Sequence, residues 1–168
     1  EIDAGLTYLE NEPLSHVRKA ALYRERYLFV TSRNGPWAGA SSITWRDAVC
    51  ENLCLLNESM QNRRVLNNLA HSIGLELVPS VTTNSFLAVC SHVCTGAWSS
   101  IIPHTFAYIF AGCEDLMLID LVDPVHSQTI GLVASDRDPL PPLARALMTC
   151  ATRLNLEVSL RGKTLALA

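Results

Sequence analysis

Apolar residues between positions 60 and 96 twice follow the period of an amphipathic helix. In the first segment they recur at intervals of three and four residues, at Leu66, Leu69, Ala70 and Ile73. Gly74 follows this stripe and is the residue type that most often ends a helix, so a helix is predicted over 60–73. A second stripe ends before Gly96 and comprises Phe86, Val89, Cys90, Val93 and Cys94. The chain therefore contains at least two helices with one buried face each.

Shorter apolar runs around these helices predict strands. They cover residues 5–9, 17–24, 26–32, 53–56, 76–82, 98–102, 116–121 and 128–134. Thr44 with Asp47 three positions on begins a short helix, and Pro103 begins another. A last helix follows Pro142 and has an apolar face of Leu143, Leu147, Cys150, Ala151 and Leu154. Strands that alternate with helices indicate an α/β fold, and we expect a largely parallel sheet with helices on its faces.

The composition supports a folded domain and argues against nucleic acid as a direct partner. Apolar residue types make up 49% of the 168 residues and charged types only 17%, so intrinsic disorder is excluded. Basic residues number 13 against 16 acidic ones, so the chain has no excess of positive charge with which to bind a phosphate backbone. No apolar run approaches the roughly 20 residues of a membrane span, which predicts a soluble protein with no membrane partner. The chain opens at Glu1 without a signal peptide or initiator Met, so we interpret it as a fragment.

The six cysteines allow either three disulfides in an oxidising compartment or a metal site. They are Cys50, Cys54, Cys90, Cys94, Cys113 and Cys150. Two pairs have C-x3-C spacing rather than the C-x2-C of a zinc ribbon, and no cluster of Cys and His at ligand spacing accompanies them. We therefore expect reduced, mostly buried thiols in a cytoplasmic protein, with no metal ion and no other cofactor. A redox or metal role for these cysteines is the alternative.

Five segments, taken in order, resemble the effector-binding domain of LysR-type transcriptional regulators. Residues 1–6 (EIDAGL) are similar to the strand before the family's first crossover, and residues 21–30 (ALYRERYLFV) to its hairpin. Residues 92–103 (HVCTGAWSSIIP) resemble a segment that carries two glycines in the family, but Trp98 replaces the second one. This large side chain is expected to change the shape of the neighbouring cleft. Residues 130–133 and 140–147 resemble the closing strand and helix.

The resemblance covers about residues 1–157 and implies an α/β, two-lobed, periplasmic-binding-protein-like (type 2) fold. It implies that residues 15–123 form a complete second lobe, that 1–14 and 124–160 form part of the first, and that 161–168 are a C-terminal tail. The family's winged helix-turn-helix, linker helix and leading strands of the first lobe do not precede Glu1. An incomplete sheet exposes unpaired backbone groups at its edge, which favours association with another chain.

The function implied by the resemblance is that of a ligand-sensing domain in a bacterial LysR-type regulator. We expect a small anionic effector, organic or inorganic, to bind between the lobes and favour one relative orientation of them. The resemblance further implies a homodimer or homotetramer that meets DNA only through an N-terminal domain absent from this chain. The alternative is an extracytoplasmic solute-binding protein of the same fold class, against which the cysteines and the missing export signal argue.

Two strand-to-helix connections carry short polar side chains where helix N-termini offer N–H groups to an anion. Residues 55–60 contribute Asn57 and Ser59, and residues 81–86 contribute Thr83, Asn84 and Ser85. Such side chains also cap helices, so capping alone and capping combined with ligand contact are both open interpretations.

Three further residues have two interpretations each. The resemblance places Tyr8 in the cleft, although a tyrosine in a strand is commonly a core residue with a satisfied hydroxyl. Arg63 and Arg64 follow the Ser59 turn and either attract the anion or are solvated charges of the helix.

No arrangement of nucleophile, base and orienting residue supports catalysis. The sequence contains no G-x-S-x-G elbow, P-loop, G-x-G-x-x-G or H-E-x-x-H motif. His71-Ser72 and Ser91-His92 are adjacent pairs, but neighbours on a helix point about 100° apart. We therefore expect a binding protein rather than an enzyme.

Overall fold

A computed structural model describes residues 2–10, 13–110, 113–154, 156 and 160. The strands are β1 (Ala4–Tyr8), β2 (Val17–Ser32), β3 (Ser42–Thr44), β4 (Cys54–Leu56), β5 (Val81–Thr83), β6 (Ser100–Pro103), β7 (Leu116–Val122) and β8 (Ser127–Ser135). The helices are α1 (Trp45–Ala48), α2 (Gln61–Ser72), α3 (Phe86–Cys94) and α4 (Pro142–Arg153), with a 3₁₀ helix over His104–Phe110. No helix in the described residues combines the length and hydropathy needed to cross a bilayer.

The described residues fall into two compact units. The first unit contains those up to Arg26 and those from Ser127 on, and the second contains Tyr27–His126. The division falls within β2, whereas the resemblance placed the first lobe boundary after residue 14. Residues 17–26 belong to the first unit because they pair with β8. The predicted tail, 161–168, lies outside the described residues.

The first unit is a sheet covered by α4. β8 lies in its middle, with β1 antiparallel on one side and residues 17–26 of β2 antiparallel on the other. Ala20, Leu132 and Ala151 form a small buried core between the sheet and α4. The sheet brings residues near both ends of the described chain together.

The second unit is built around the last residues of β2. They lie between β6 and β7, both antiparallel, and β3 extends the sheet parallel to β7. β4 and β5 form a parallel pair, and Leu53 next to β4 bridges to Ser99 next to β6. Phe29, Val30 and Ile119 are completely buried in this core. The topology therefore sets the carboxyl ends of β4 and β5 side by side.

The expectation of a largely parallel sheet is wrong. β2 pairs antiparallel with β6, β7 and β8, and β1 pairs antiparallel with β8, which leaves only β3–β7 and β4–β5 parallel among the ladders described. The helices α2 and α3 connect β4 to β5 and β5 to β6, and helical crossovers of this kind join parallel strands. All three strands that pair with β2 run antiparallel to it.

The predicted and observed strand boundaries differ most in β2 and β5. Residues 17–24 and 26–32 are one continuous strand, with a register shift between Ala21 and Tyr23. Of the strand predicted over 76–82, only residues 81 and 82 lie in a strand, which is β5 and ends at Thr83. The helices of the prediction are confirmed as α2 and α3, and Gly74 and Gly96 after them have φ of 73° and 78°.

Candidate functional site

The connections after β4 and β5 meet at one edge of the parallel pair. Leu56 lies opposite Thr83 in the register, and the N–H of Asn57 donates to the carbonyl of Thr83 at 2.8 Å. Each connection is followed within a few residues by a helix, α2 or α3. Because parallel strands end at the same edge, both helices begin beside this hydrogen bond.

Neither helix begins with a side-chain cap. The N-cap residue of α2 is Met60 and that of α3 is Ser85, and neither side chain accepts a hydrogen bond from its helix. The Ser59 hydroxyl instead donates to Oδ1 of Asn57 at 2.6 Å, and Oγ1 of Thr83 accepts from the Ser85 N–H at 3.3 Å. The interpretation of these residues as helix caps is therefore wrong. Their side chains shape the turns and leave the first N–H groups of both helices uncapped.

The structure brings together the five candidates from these two connections. Asn57, Thr83 and Ser85 are half-buried, whereas Ser59 and Asn84 are exposed. Among the described residues none hydrogen-bonds to the Asn84 amide or the Ser85 hydroxyl. These two side chains therefore have full hydrogen-bonding capacity available for a ligand.

Tyr8 lies in the first unit, whereas the five residues from the two connections lie in the second. Its hydroxyl donates to Oε1 of Glu25 at 2.7 Å, and Glu25 is 4% exposed. A satisfied hydroxyl on a half-buried side chain agrees with the interpretation of Tyr8 as a structural residue.

Arg63 has a role that the sequence analysis missed. Its side chain is almost fully buried, and its guanidinium donates to the carbonyls of Leu56 and Leu77 at 3.0 and 3.2 Å and to Oδ1 of Asn67 at 2.7 Å. Burial lowers the pKa of Arg63, and the carboxylate of Glu58, 3.9 Å away, acts in the opposite direction. The expectation of a solvated charge is wrong here.

A signal for the burial of Arg63 was present in the sequence. The residue lies three and seven positions before Leu66 and Ala70, and so falls on the apolar stripe of α2. Arg64, one position on, is exposed and donates to the carbonyl of Ser59 at 2.9 Å. One residue thus ties the end of β4 to the segment before β5, while its neighbour faces solvent.

Asn62, at the start of α2, also escaped the sequence analysis. Its Nδ2 atom is shielded from solvent and has no hydrogen-bond partner among the described residues. A shielded donor without an acceptor costs about 1–3 kcal/mol. Asn62 is therefore a further polar group beside the uncapped helix end.

Trp98, which departs from the family pattern, packs against the core of the second unit. Its indole is half-buried and meets the ring of His92 edge-on, with 5.4 Å between ring centroids. Part of its large side chain is thus accommodated within the unit.

The six cysteines are free, and the expectation that most are buried is wrong. Cys54 and Cys90 are buried, and burial raises the pKa of both thiols. The exposed thiols are Cys50, Cys94 and Cys150. No group of three metal-ligating side chains occurs in the described part of the chain.

In α/β folds, two uncapped helix ends at one sheet edge offer N–H groups at the place where ligands of such folds commonly lie. The family model of the LysR substrate binding domain matches residues 1–155, and the chain therefore belongs to this family. The fold of the family is the two-lobed, periplasmic-binding-protein-like fold that the sequence predicted. Comparison with curated proteins finds no match.

Solved structures of regulators share this fold at low sequence identity. The H2O2-bound C206S mutant of Corynebacterium glutamicum OxyR is 20% identical with a TM-score of 0.75, over 99% of this chain and 51% of its own. The effector binding domain of QuiR in complex with shikimate is 20% identical with a TM-score of 0.72, over 90% of this chain and 70% of its own. Full-length CbnR complexed with its target DNA is 18% identical with a TM-score of 0.71, over 90% of this chain and 50% of its own. This chain spans about half the length of the OxyR chain.

Proposed function

We propose that this chain is the effector-sensing part of a LysR-type transcriptional regulator, and that a small anion binds at the carboxyl ends of β4 and β5. The observation that carries the proposal is the pair of uncapped helix N-termini of α2 and α3, joined by the hydrogen bond from Asn57 to Thr83. Each helix end presents unpaired N–H groups and the positive end of its dipole. Two such ends at one edge favour a negatively charged ligand.

The side chains around these helix ends add donors. The Asn84 amide and the Ser85 hydroxyl are available to a carboxylate or oxyanion, and the buried charge of Arg63 lies two residues into α2. One relative, QuiR, is described in complex with shikimate, which is a carboxylate. This supports an organic acid as the effector class. The proposed site includes Asn57, Ser59, Thr83, Asn84 and Ser85.

The mechanism that we propose is a population shift and not turnover. A ligand that binds one of two conformations more tightly shifts the equilibrium toward that conformation. The equilibrium constant changes by no more than the ratio of the ligand's affinities for the two conformations. In the complete regulator, a DNA-binding domain outside this chain would report that change, as the DNA complex of full-length CbnR suggests. Membership of the LysR family favours this regulator in the cytoplasm over a solute-binding protein. We further assign the first unit to the incomplete lobe and the second unit to the complete one.

Asn84→Ala and Ser85→Ala are expected to weaken anion binding by about 10-fold to 150-fold each, the value of a hydrogen bond to a charged group. The melting temperature without ligand should change by less than about 2 °C, because neither side chain bonds to the described protein. Calorimetric titration of the full chain with shikimate, acetate, sulfate and phosphate, beside thermal melts, measures both quantities.

Asn68→Ala and Ser91→Ala are the matched controls for this experiment. Both remove the same chemical groups from exposed positions on α2 and α3 that lie beyond the first turn. They should leave the affinity unchanged. Wild-type affinity in the Asn84 and Ser85 variants, or no binding of any of the four anions, would contradict the proposed site.

The full chain is expected to form a dimer or larger species at micromolar concentration. β1 lies at the end of the sheet order, with its second edge unpaired among the described strands, and its Leu6 is 69% exposed. An open edge with apolar side chains favours association. Light scattering coupled to size exclusion measures the mass, and a monomer throughout this concentration range would show the prediction to be wrong.

A further inference from the structure

Two cysteines distant in the sequence lie side by side in the second unit. The Sγ atoms of Cys94, the last residue of α3, and Cys113, before β7, are 3.2 Å apart. A disulfide bond is about 2.05 Å long, so the sulfurs need to approach by roughly 1 Å to form one. Cys94 is exposed and Cys113 is half-buried, so a reagent in solution has access to the pair.

Backbone hydrogen bonds hold both cysteines in place. The N–H of Cys113 donates to the carbonyl of Phe110 at 2.9 Å, and its carbonyl accepts from Leu116 at 3.1 Å. Cys94 belongs to the last turn of α3, which is followed by the C-cap residue Thr95. The two sulfurs therefore bring into contact the end of α3 and the segment just before β7, both of which are ordered by backbone hydrogen bonds.

We propose that Cys94 and Cys113 form a reversible intrachain disulfide, closed by thiol–disulfide exchange with a low-molecular-weight disulfide. The bond would make the second unit responsive to the redox state of its surroundings. The inference rests on the geometry of this pair and is independent of the proposed anion site.

The exchange takes place in two balanced steps. The Cys113 thiolate attacks one sulfur of the reagent, the reagent's S–S bond breaks, and one small thiolate leaves a mixed disulfide behind. Cys94 then loses its proton and attacks the Cys113 sulfur, which releases the second small thiolate. The protein loses two electrons and two protons, and the reagent gains them as two thiols.

The environment of Cys94 suits the closing step rather than the first attack. Burial, followed by the hydrogen bond with Cys113, raises the pKa of Cys94 to about 11. Cys94 is therefore protonated at neutral pH and is a poor first nucleophile. Closure of the mixed disulfide should accelerate roughly tenfold per pH unit between pH 7 and 9, because the thiolate fraction of Cys94 rises in that proportion.

The test exposes the full chain to oxidised glutathione, quenches it with acid and alkylates the remaining thiols. We expect wild type to lose two of its six thiols without bound glutathione. Arg64 and Arg137 enclose a segment without Lys or Arg, so trypsin leaves all three nearby cysteines in one peptide. Chymotrypsin cuts after aromatic residues such as Trp98 and so separates Cys113 from Cys90 and Cys94. Fragmentation of the crosslinked peptide then identifies the partner of Cys113.

Variants complete the experiment. Cys94→Ser and Cys113→Ser should each abolish the intrachain bond, and Cys113→Ala provides a second substitution if the serine variant does not fold. Cys50→Ser and Cys150→Ser remove exposed thiols elsewhere and should leave closure unchanged. A bond from Cys113 to Cys90, glutathione that remains attached to Cys113, or a closure rate equal at pH 7 and pH 9 would overturn the proposal. Dithiothreitol should restore all six thiols, and a bond that resists it would contradict reversibility.

Discussion

Replacing Arg63 by methionine is expected to lower the free energy of unfolding by about 3 kcal/mol or more. Methionine fills much of the same volume but leaves the carbonyls of Leu56 and Leu77 without the donors that now reach them at 3.0 and 3.2 Å. Each unsatisfied buried carbonyl costs about 1–3 kcal/mol. Urea unfolding of the full chain, followed by circular dichroism, measures the loss.

Arg64→Met is the control, because it removes the same group from the next position. Arg64 is exposed, and its change is expected to alter stability by no more than about 0.5 kcal/mol. Arg63→Lys separates charge from geometry, since an ammonium cannot span two carbonyls as the planar guanidinium does. Equal stabilities for the Arg63 and Arg64 variants would show that the buried guanidinium does not hold the end of β4.

Gly131→Ala is expected to destabilise the first unit by about 2–3 kcal/mol through overpacking. A Cβ atom on Gly131, in the middle of β8, would lie 2.8 Å from the carbonyl oxygen of Ala20 and 2.6 Å from Cδ1 of Leu9. The side chain of Leu9 can rotate away, but the carbonyl belongs to the backbone of β2 and cannot move without breaking the strand pairing. Thermal or urea unfolding measures the effect.

Gly5→Ala provides a matched comparison in the neighbouring strand. Gly5 pairs with Val133 of β8, and a Cβ atom there would meet nothing within 4 Å. Alanine should leave stability unchanged or raise it by up to about 1 kcal/mol, because it reduces the entropy of the unfolded chain. A loss at Gly5 as large as that at Gly131 would mean that strand propensity, and not the close approach of β2, decides both positions.

Elements defined by near neighbours were predictable from the sequence. α2 and α3 follow from stripes at three and four residues, and the Thr44 cap of α1 accepts the N–H of Asp47 as its motif predicts. The rule that parallel strands end at one edge explains why Asn57 lies beside Thr83 once β4 and β5 are paired. The same rule does not say whether a side chain caps a helix. That depends on the turn conformation, which here directs Ser59 to Asn57.

Sequence alone therefore determined the α/β class, the two amphipathic helices and, through the order of five segments, the LysR family. Tertiary structure alone decided the antiparallel pairing of β2, the burial of Arg63, the satisfied hydroxyl of Tyr8 and the contact between Cys94 and Cys113. The physical reason is the range of the interactions. Helical periodicity links residues three or four apart, whereas β2 meets β8 across about a hundred positions, as in the pairing of Arg26 with Ser127. Such partners are chosen only when the whole chain has closed around its core.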